Sequence, residues 1–230
     1  LVGASPKPGS IGNAMVNAAF ADGFDGPIYL VNPGYTEVEG RACYPNLAAL
    51  PEVPDLAVLA LANTWLEAAL DDCIALGIGA AVIFASGTLE DDIPANPLSQ
   101  RIRDKANAAG MAICGPNCMG LIRPSIGLRA SAFVPSYRTS AGGVVWLAQS
   151  GSAHSALTYN QPRMGFALAV STGSESVTRL SDYMLWSLDQ PETRVIGIFL
   201  EGVRDHEAFC EGLGKAQARR VPVVVLKVGR

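Results

Sequence analysis

A glycine-rich turn near the start of the chain is the first feature with chemical meaning. Residues Gly3 to Gly12 read GASPKPGSIG and stand between a short apolar segment and a helical pattern. Glycines let the backbone approach a phosphate, and the start of a helix offers free N–H groups and the positive end of its dipole. Ser5 and Ser10 add hydroxyl donors, and Lys7 adds a positive charge. The turn predicts a phosphate-bearing ligand, the alternative being an ordinary Gly/Pro turn.

Two features of the sequence limit which nucleotide the turn could bind. Its spacing differs from the G-x-G-x-x-G fingerprint of NAD-binding proteins. An NAD site also requires an Asp or Glu at the end of the second strand to bind a ribose hydroxyl. The chain has Val-Asn-Pro-Gly at 31–34. NAD is therefore disfavoured, and another phosphorylated nucleotide remains open.

Two further loops in the second half could hold a phosphate. The first, QSGS at 149–152, lies between a strand pattern and a helix pattern, so its N–H groups and hydroxyls can bind an anion. The second, TGS at 172–174, follows the next strand. An ordinary capped helix start is the alternative for the first loop.

Three ionisable residues accompany these loops. Glu201 ends the apolar strand Val195–Leu200, where a carboxylate can orient an imidazole, although it can also be a solvated acid. His154 falls on the first turn of the helix after QSGS, which favours a packing or phosphate-contact role over that of a phosphocarrier. His206 follows the strand of Glu201 and is expected to be exposed.

Composition excludes several classes of protein. The chain has 230 residues, of which 49% are hydrophobic and 17% charged, with a net charge of −4. No basic block points to nucleic acid, and the longest apolar runs are strand-sized, too short to cross a membrane. Five cysteines give no disulfide framework, and Cys114 and Cys118 have no second Cys/His pair to complete a metal site. A cytoplasmic protein without a metal in this chain is predicted.

The elements that must position these loops follow an alternating pattern. Short runs that are apolar on both faces alternate with amphipathic runs, which indicates α/β structure with parallel sheets. Residues 1–122 predict a Rossmann-like doubly wound domain, 123–142 a linker with a short hairpin, and 143–230 a second, flavodoxin-like parallel α/β domain. The chain opens inside a strand and stops after one, so we expect a fragment whose second domain is truncated. The predicted strands are Leu1–Ala4, Ile28–Val31, Leu56–Leu61, Ala80–Phe84, Met111–Cys114, Val144–Ala148, Phe166–Ser171, Val195–Leu200 and Val221–Lys227. The predicted helices are Ile11–Ala21, a helix capped by Asn63 or Thr64 and running through Leu76, Pro97–Ala109, and 152–160, 177–188 and 205–219.

Several motifs in order resemble a known family. GASPKPGSIGNAM, VNPGYTEVEGRACYPNLAALPEVPDLAVLALA and ICGPNCMGL resemble the CoA-binding domain of NDP-forming acyl-CoA synthetases. LAQSGSAHSALTY, VSTGSES and VIGIFLEGVRD look like the next, succinyl-CoA-synthetase-like domain of the same proteins. The resemblance covers essentially the whole chain. The sequence departs from it at His154, where relatives usually have Gly, at Ser174 (Asn) and at Val177 (often Asp).

The resemblance implies a set of site residues. CoA would lie across the C-terminal ends of the first sheet, and Ser150, Gly151 and Ser152 would hold a phosphate. Glu201 would orient a phosphohistidine that lies outside this chain, beyond the terminal KVGR. An acyl or phosphate pocket would include His154, Thr172, Gly173 and Ser174. The implied CoA contacts are Gly3, Ser5, Lys7, Pro8, Gly9, Ser10, Asn32, Pro33, Tyr35, Leu61, Ala62, Ala85, Ser86, Asn117 and Cys118.

The implied activity is that of an ADP-forming acid–thiol ligase. Such an enzyme joins a carboxylic acid to CoA through acyl phosphate and phosphohistidine intermediates, with ATP and Mg²⁺ bound by an ATP-grasp domain or subunit that this chain lacks. The fragment alone would be inactive, and the intact protein would form a homo-oligomer or heteromer. One alternative is a CoA-sensing regulatory region of a protein acetyltransferase. Another is a Rossmann oxidoreductase, which the missing acid after strand two disfavours.

Overall fold

The computed structural model describes residues 1–133, 138–160 and 163–229 and shows alternating helices and mostly parallel strands, which confirms the predicted α/β class. Short 3-10 turns occupy Leu47–Ala49 and Pro124–Ile126. The helices are α1 (Ile11–Ala21), α2 (Asn63–Ala75), α3 (Leu98–Ala109), α4 (Gly151–Asn160), α5 (Leu180–Asp189) and α6 (His206–Ala218). The strands are β1 (Leu30–Val31), β2 (Glu37–Val38), β3 (Arg41–Tyr44), β4 (Leu56–Leu59), β5 (Ala80–Ile83), β6 (Ala112–Cys114), β7 (Gly120–Arg123), β8 (Leu128–Ser131), β9 (Ser140–Ala148), β10 (Gly165–Ser171), β11 (Val195–Leu200) and β12 (Val223–Lys227).

The first sheet is held together at its centre by a single residue. The predicted strand Leu1–Ala4 is reduced to Val2, which pairs in parallel with Val31 of β1 and Leu59 of β4. It thereby joins the group β1-β3-β2 to the group β4-β5-β6. All pairs are parallel except β2 with β3. The glycine-rich turn leaves the sheet from this central position, which places it between two neighbouring strand ends.

The two faces of the first sheet have different neighbours. One face packs against α2 and α3 through a core that includes Leu59 and Ile83. Val58 and Val82 point to the other face, because successive side chains of a strand alternate between faces. They belong to another buried cluster, which contains Met184 of α5. The second half of the chain therefore packs directly on the first sheet, and the two share a core.

The second sheet includes a hairpin from the predicted linker. Its strand order is β12-β11-β9-β10-β7-β8. The first four strands are parallel, and β7 pairs antiparallel with both β10 and β8. The observed hairpin forms an edge of this sheet, but its first strand begins at Gly120, before the predicted linker of 123–142, and β9 already begins at Ser140. Residues 134–137 of the predicted linker lie outside the described residues, and the division into domains at 122 and 143 stays a prediction.

Several boundaries differ from the sequence-based expectation for local reasons. Helix α2 is capped by Ala62, because the Asn63 side chain is used elsewhere. Helix α5 starts at Leu180 and not at 177, since the Arg179 N–H donates to the Asp182 carboxylate at 2.7 Å. The hairpin of β2 and β3 was missed. Its turn has Glu39 at a φ of 51° and Gly40 at a φ of 73°. Two left-handed residues in a hairpin turn are usually Asn-Gly, and this sequence has Glu-Gly instead.

Candidate functional site

The glycine-rich turn depends on close backbone packing. Gly3 has a φ of 87°, and a Cβ there would lie 2.4 Å from the carbonyl oxygen of Ala60, directly after β4. A Cβ on Gly12, in the first turn of α1, would lie 2.1 Å from the Gly3 carbonyl oxygen. Both positions therefore require glycine, and they bring the start of α1 onto the strand end. A phosphate at this point would meet unbonded N–H groups of the first helical turn.

The hydroxyls of the turn are partly committed. Ser10 caps α1: its Oγ accepts from Asn13 N–H at 3.2 Å and donates to the Lys7 carbonyl at 2.8 Å. The Ser10 proton is therefore engaged, which leaves backbone N–H groups as the donors. Ser5 Oγ accepts from Lys7 N–H at 3.1 Å, so its own proton is free to donate. The Lys7, Pro8 and Gly9 segment is exposed.

Asn32 fixes the neighbouring strand end. Its Nδ2 donates to the Ala4 carbonyl at 2.7 Å and its Oδ1 accepts from Gly34 N–H at 2.9 Å. The side chain thus ties the end of β1 to the glycine-rich turn. Pro33 and Tyr35 are exposed beside it.

A second asparagine, Asn63, fixes the loop after β5 in a similar way. Asn63 Nδ2 donates to Ser86 Oγ at 3.0 Å, and Asn63 Oδ1 accepts from Gly87 N–H at 2.9 Å. Asn63 therefore holds the loop after β5 against the start of α2, which explains why it does not cap the helix. The sequence offered no signal for this pairing, because the partners are more than twenty residues apart.

Two clefts run along these strand ends and meet at Gly3 and Leu61. One, of about 510 Å³, extends toward Ala85 and Ser86. The other, of about 440 Å³, extends past Asn32 and Pro33 to α2 and is bordered by Trp65, whose side chain is 66% exposed. Trp65 escaped the sequence analysis, although a large aromatic residue in the first turn after a strand end was the available signal. Of the implied CoA contacts, these clefts bring together Gly3, Ser5, Ser10, Asn32, Pro33, Leu61, Ala62, Ala85 and Ser86.

The turn at 115–118 links the first cleft to the second half of the chain. The Asn117 N–H donates to the Ala85 carbonyl at 2.7 Å. The Pro116 carbonyl accepts from Ser174 N–H at 2.8 Å, and Gly173, at φ 62°, lies so close that a Cβ would be 2.3 Å from the same carbonyl oxygen. The TGS loop is thus hydrogen-bonded directly to the turn that carries Asn117.

Cys118 lies beneath this turn and not in the cleft. Its side chain is 5% exposed, and its Sγ donates to the Ile83 carbonyl at 3.3 Å. The hydrogen bond with Cys114, together with burial, raises the pKa of the Cys118 thiol well above its ordinary value. The Cys118 side chain is thus buried under the turn, and its expected contact with CoA stays a prediction. Among the described ranges, no three His, Cys, Asp or Glu residues are grouped to hold a metal ion.

The loop QSGS begins α4 as predicted. Ser150 Oγ accepts from Ala153 N–H at 3.3 Å, which makes Ser150 a helix cap. Gly151 packs on Met119, whose Cγ would be 2.8 Å from an added Cβ. Ser152 is exposed at the helix start. The geometry suits an anion at this helix end, with the Ser152 hydroxyl available to it.

Gln149 and Glu175 form a polar cluster that the sequence analysis did not single out. Gln149 Oε1 accepts from Glu201 N–H at 2.6 Å and Gly202 N–H at 2.9 Å. Its Nε2 donates to the Gly202 carbonyl at 2.7 Å and to Glu175 Oε1 at 2.9 Å. Thr172 Oγ1 donates to the same carboxylate oxygen at 2.8 Å. Burial raises the pKa of Glu175, although these donors oppose the shift.

The two histidines and Glu201 occupy different environments. Glu201 is exposed at the end of β11, as its predicted position requires. His206 is also exposed, at the start of α6. His154 is completely buried, and burial lowers its pKa to about 4. His154 therefore faces the interior of the second domain, and its predicted place in an acyl or phosphate pocket stays a prediction.

Comparison with known proteins agrees with this geometry. Residues 1–124 match the family described as CoA binding domain, and residues 141–230 match the family described as succinyl-CoA ligase like flavodoxin domain. The fold and the site thus define a CoA-binding α/β protein. The chain belongs to the NDP-forming acyl-CoA synthetase family. None of its described helices is long and apolar enough to cross a membrane.

Individual relatives include curated ligases and solved structures. The chain is 32% identical to acetate–CoA ligase [ADP-forming] I of Archaeoglobus fulgidus, over all of this chain and 33% of that protein. It is 30% identical to the alpha subunit of acetate–CoA ligase [ADP-forming] I of Pyrococcus furiosus, over all of this chain and 50% of that subunit. A dinucleotide-forming acetyl-CoA synthetase 1 of Ca. Korarchaeum cryptofilum superposes with a TM-score of 0.90 at 29% identity, over 99% of this chain and 50% of that one. The chain therefore spans half or less of the length of these relatives.

Proposed function

We propose that this chain binds CoA across the strand ends of its first sheet and presents the thiol to the second domain. The observation that carries the proposal is the turn at 115–118. It is hydrogen-bonded to Ala85 at the end of the 510 Å³ cleft and to Ser174 in the TGS loop. A pantetheine arm in that cleft would deliver its thiol beside the loops that suit a phosphate.

The nucleotide end of CoA would extend in the opposite direction. The groove beside Trp65 is also lined by Pro33, Pro45 and Leu61, apolar side chains that suit a purine base. Asn46 and Asp72 stand at its rim and offer an amide donor and a carboxylate acceptor, the pattern that the edge of adenine matches. Because Asp72 is negative, the phosphates would lie away from it, toward the glycine-rich turn and Lys7.

The complete protein would be an ADP-forming acid–thiol ligase. Ser150, Gly151 and Ser152 would hold a phosphate, and Glu201 would orient a phosphohistidine supplied from outside this chain. ATP and Mg²⁺ would bind to an ATP-grasp domain or subunit that also lies outside it. Relatives of the chain include ligases named for acetate, 4-hydroxybutyrate and trans-ferulate, so the acid substrate is proposed only as a carboxylic acid.

Calorimetric titration with CoA, with NAD as the control ligand, tests the first half of the proposal. Binding of CoA alone is expected, and binding of NAD without CoA would overturn it. The second half is tested in the complete protein by ADP release that requires both CoA and an acid. A regulatory CoA sensor would bind CoA in the first experiment but release no ADP in the second.

A further inference from the structure

We propose that Glu175 is a positioning residue, whose buried carboxylate acts through the Gln149 amide to fix the turn that carries Glu201. The inference rests on the proposed function, because that function gives Glu201 its role. It adds two residues from other strand ends to the apparatus that would support the phosphohistidine.

The Gln149 amide has only one orientation that satisfies its surroundings. The two N–H groups of the turn, from Glu201 and Gly202, need an oxygen, and they lie 2.6 and 2.9 Å from Gln149 Oε1. The Gly202 carbonyl needs a donor and lies 2.7 Å from Gln149 Nε2. One proton of that nitrogen remains, and it is directed at Glu175 Oε1, 2.9 Å away. All four hydrogen bonds that an amide side chain can make are then used.

Glu175 is held in an unfavourable state for this contact. Its side chain is only 6% exposed, and its backbone has a φ of 54°, in the left-handed region that an L residue other than Gly rarely adopts. Burial of a carboxyl group and a left-handed backbone both oppose folding. Residues kept under such strain cluster at functional sites. A structural role alone would not require a carboxyl group at a buried, left-handed position.

The turn is what gives Glu201 its direction. Within residues 1–133, 138–160 and 163–229, the Glu201 carboxylate makes no hydrogen bond or ion pair of its own. Its placement is therefore set by the backbone at Glu201 and Gly202, and that backbone is held by Gln149. Thr172 completes the support, since its hydroxyl donates to the same Glu175 oxygen at 2.8 Å.

The test is a double-mutant cycle in the complete synthetase. Glu175→Leu keeps the volume but removes the acceptor, and Glu175→Gln keeps a carbonyl acceptor of the same shape. We expect Glu175→Leu to lower the kcat of acyl-CoA formation roughly 10- to 100-fold with the KM for CoA unchanged, because a misplaced group loses about that much rate. Glu175→Gln should stay within about threefold of the wild type. Added to Glu201→Gln, the Leu substitution should cause no further loss, since both act through one group.

A second measurement on this chain separates positioning from misfolding. Hydrogen exchange at the Glu201 and Gly202 amides should become at least about tenfold faster in Glu175→Leu and in the milder Thr172→Val, while amides of the first sheet stay protected. Losses that multiply in the double mutant, unchanged exchange at these two amides, or a Glu175→Gln variant as impaired as Glu175→Leu would each overturn the inference. If Glu201→Gln alone has no effect, the proposed role of Glu201 fails, whereas CoA binding remains an independent result.

Discussion

Gln149 and Glu175 come from the ends of two different strands, and the Gln149 amide nitrogen donates to the Glu175 carboxylate at 2.9 Å. This contact joins the loop after β9 to the loop after β10. Through the other three bonds of the amide it also reaches the turn after β11. Three strand ends of the second sheet are thus connected by one side chain, at the place where the proposed phosphate loops lie.

Replacing Gln149 by a charged residue tests its hydrogen bond to Glu175. In Gln149→Glu a second carboxylate would face Glu175 and the Gly202 carbonyl, so we expect a loss of roughly 2–4 kcal/mol in the free energy of unfolding at pH 7. The near-isosteric control Gln149→Met should lose less, about 1–3 kcal/mol, because it leaves polar groups unpaired but adds no charge. Urea unfolding measures both.

The pH dependence of that variant is a sharper signature. Two neighbouring carboxylates raise the pKa of one of them, so the folded Gln149→Glu protein binds a proton more tightly than the unfolded chain does. The stability of Gln149→Glu relative to that of Gln149→Met should therefore increase as the pH falls from 7 toward 5. A difference in stability between the two variants that is the same at pH 5 as at pH 7 would contradict the contact.

The sequence predicted the positions of the glycine-containing loops better than the contacts between them. The glycine-rich turn, QSGS and TGS could be recognised locally, because glycines and helix starts are local signals. Gln149 was placed in its loop, but its partners at 175, 201 and 202 come together only when three strands pair in register. Asn63 shows the same limit, since its preference for a helix cap is overridden by a bond to Ser86.

Burial was the property that local sequence predicted least well. His154 stands one turn from the QSGS loop, yet it faces the interior of the second domain. Cys118 follows Asn117, which is hydrogen-bonded to Ala85 at the end of the 510 Å³ cleft, and still points beneath the turn. Whether a side chain in a turn or a first helical turn points inward depends on which elements pack against it. The sequence predicts the hairpin of β7 and β8 only as part of a linker, whereas in the structure it extends the second sheet.

Trp65 gives a direct test of the proposed adenine groove. Stacking of a base on an aromatic side chain contributes roughly 1–3 kcal/mol, so Trp65→Ala should weaken CoA binding about 5- to 150-fold. Trp186→Ala is the matched control, because Trp186 is also exposed, at 42%, but lies on α5. Titration calorimetry with CoA measures both, and 4′-phosphopantetheine, which lacks the base, should bind wild type and Trp65→Ala equally. If Trp65→Ala weakened the binding of both ligands equally, adenine would not bind in this groove.

The glycine-rich turn predicts opposite effects for two helical glycines. An added Cβ at Gly12 would lie 2.1 Å from the Gly3 carbonyl oxygen, whereas at Gly214, in α6, it would meet nothing within 4 Å. Gly12→Ala should therefore displace the turn and lower CoA affinity at least about tenfold, with a loss of roughly 1–3 kcal/mol in stability. Gly214→Ala should gain about 0.5–1 kcal/mol from helix propensity and keep full affinity. Thermal unfolding measures the stability of both variants, and calorimetry on the same samples measures their CoA affinity. Unchanged CoA binding in Gly12→Ala would show that the glycine-rich turn does not contact the ligand.

His154 predicts a loss of stability in mild acid. Burial lowers its folded pKa from 6.5 to about 4. The unfolded chain therefore takes up a proton first as the pH falls, and stability is lost between about pH 6.5 and 4, by roughly 3 kcal/mol in all. His154→Met, similar in size and uncharged, should flatten the dependence over this window, and His206→Gln should leave it unchanged because His206 is exposed. Urea unfolding of the three proteins at pH 7, 6 and 5 measures the slope. An unchanged slope in His154→Met would mean that this imidazole is accessible to protons in the folded chain.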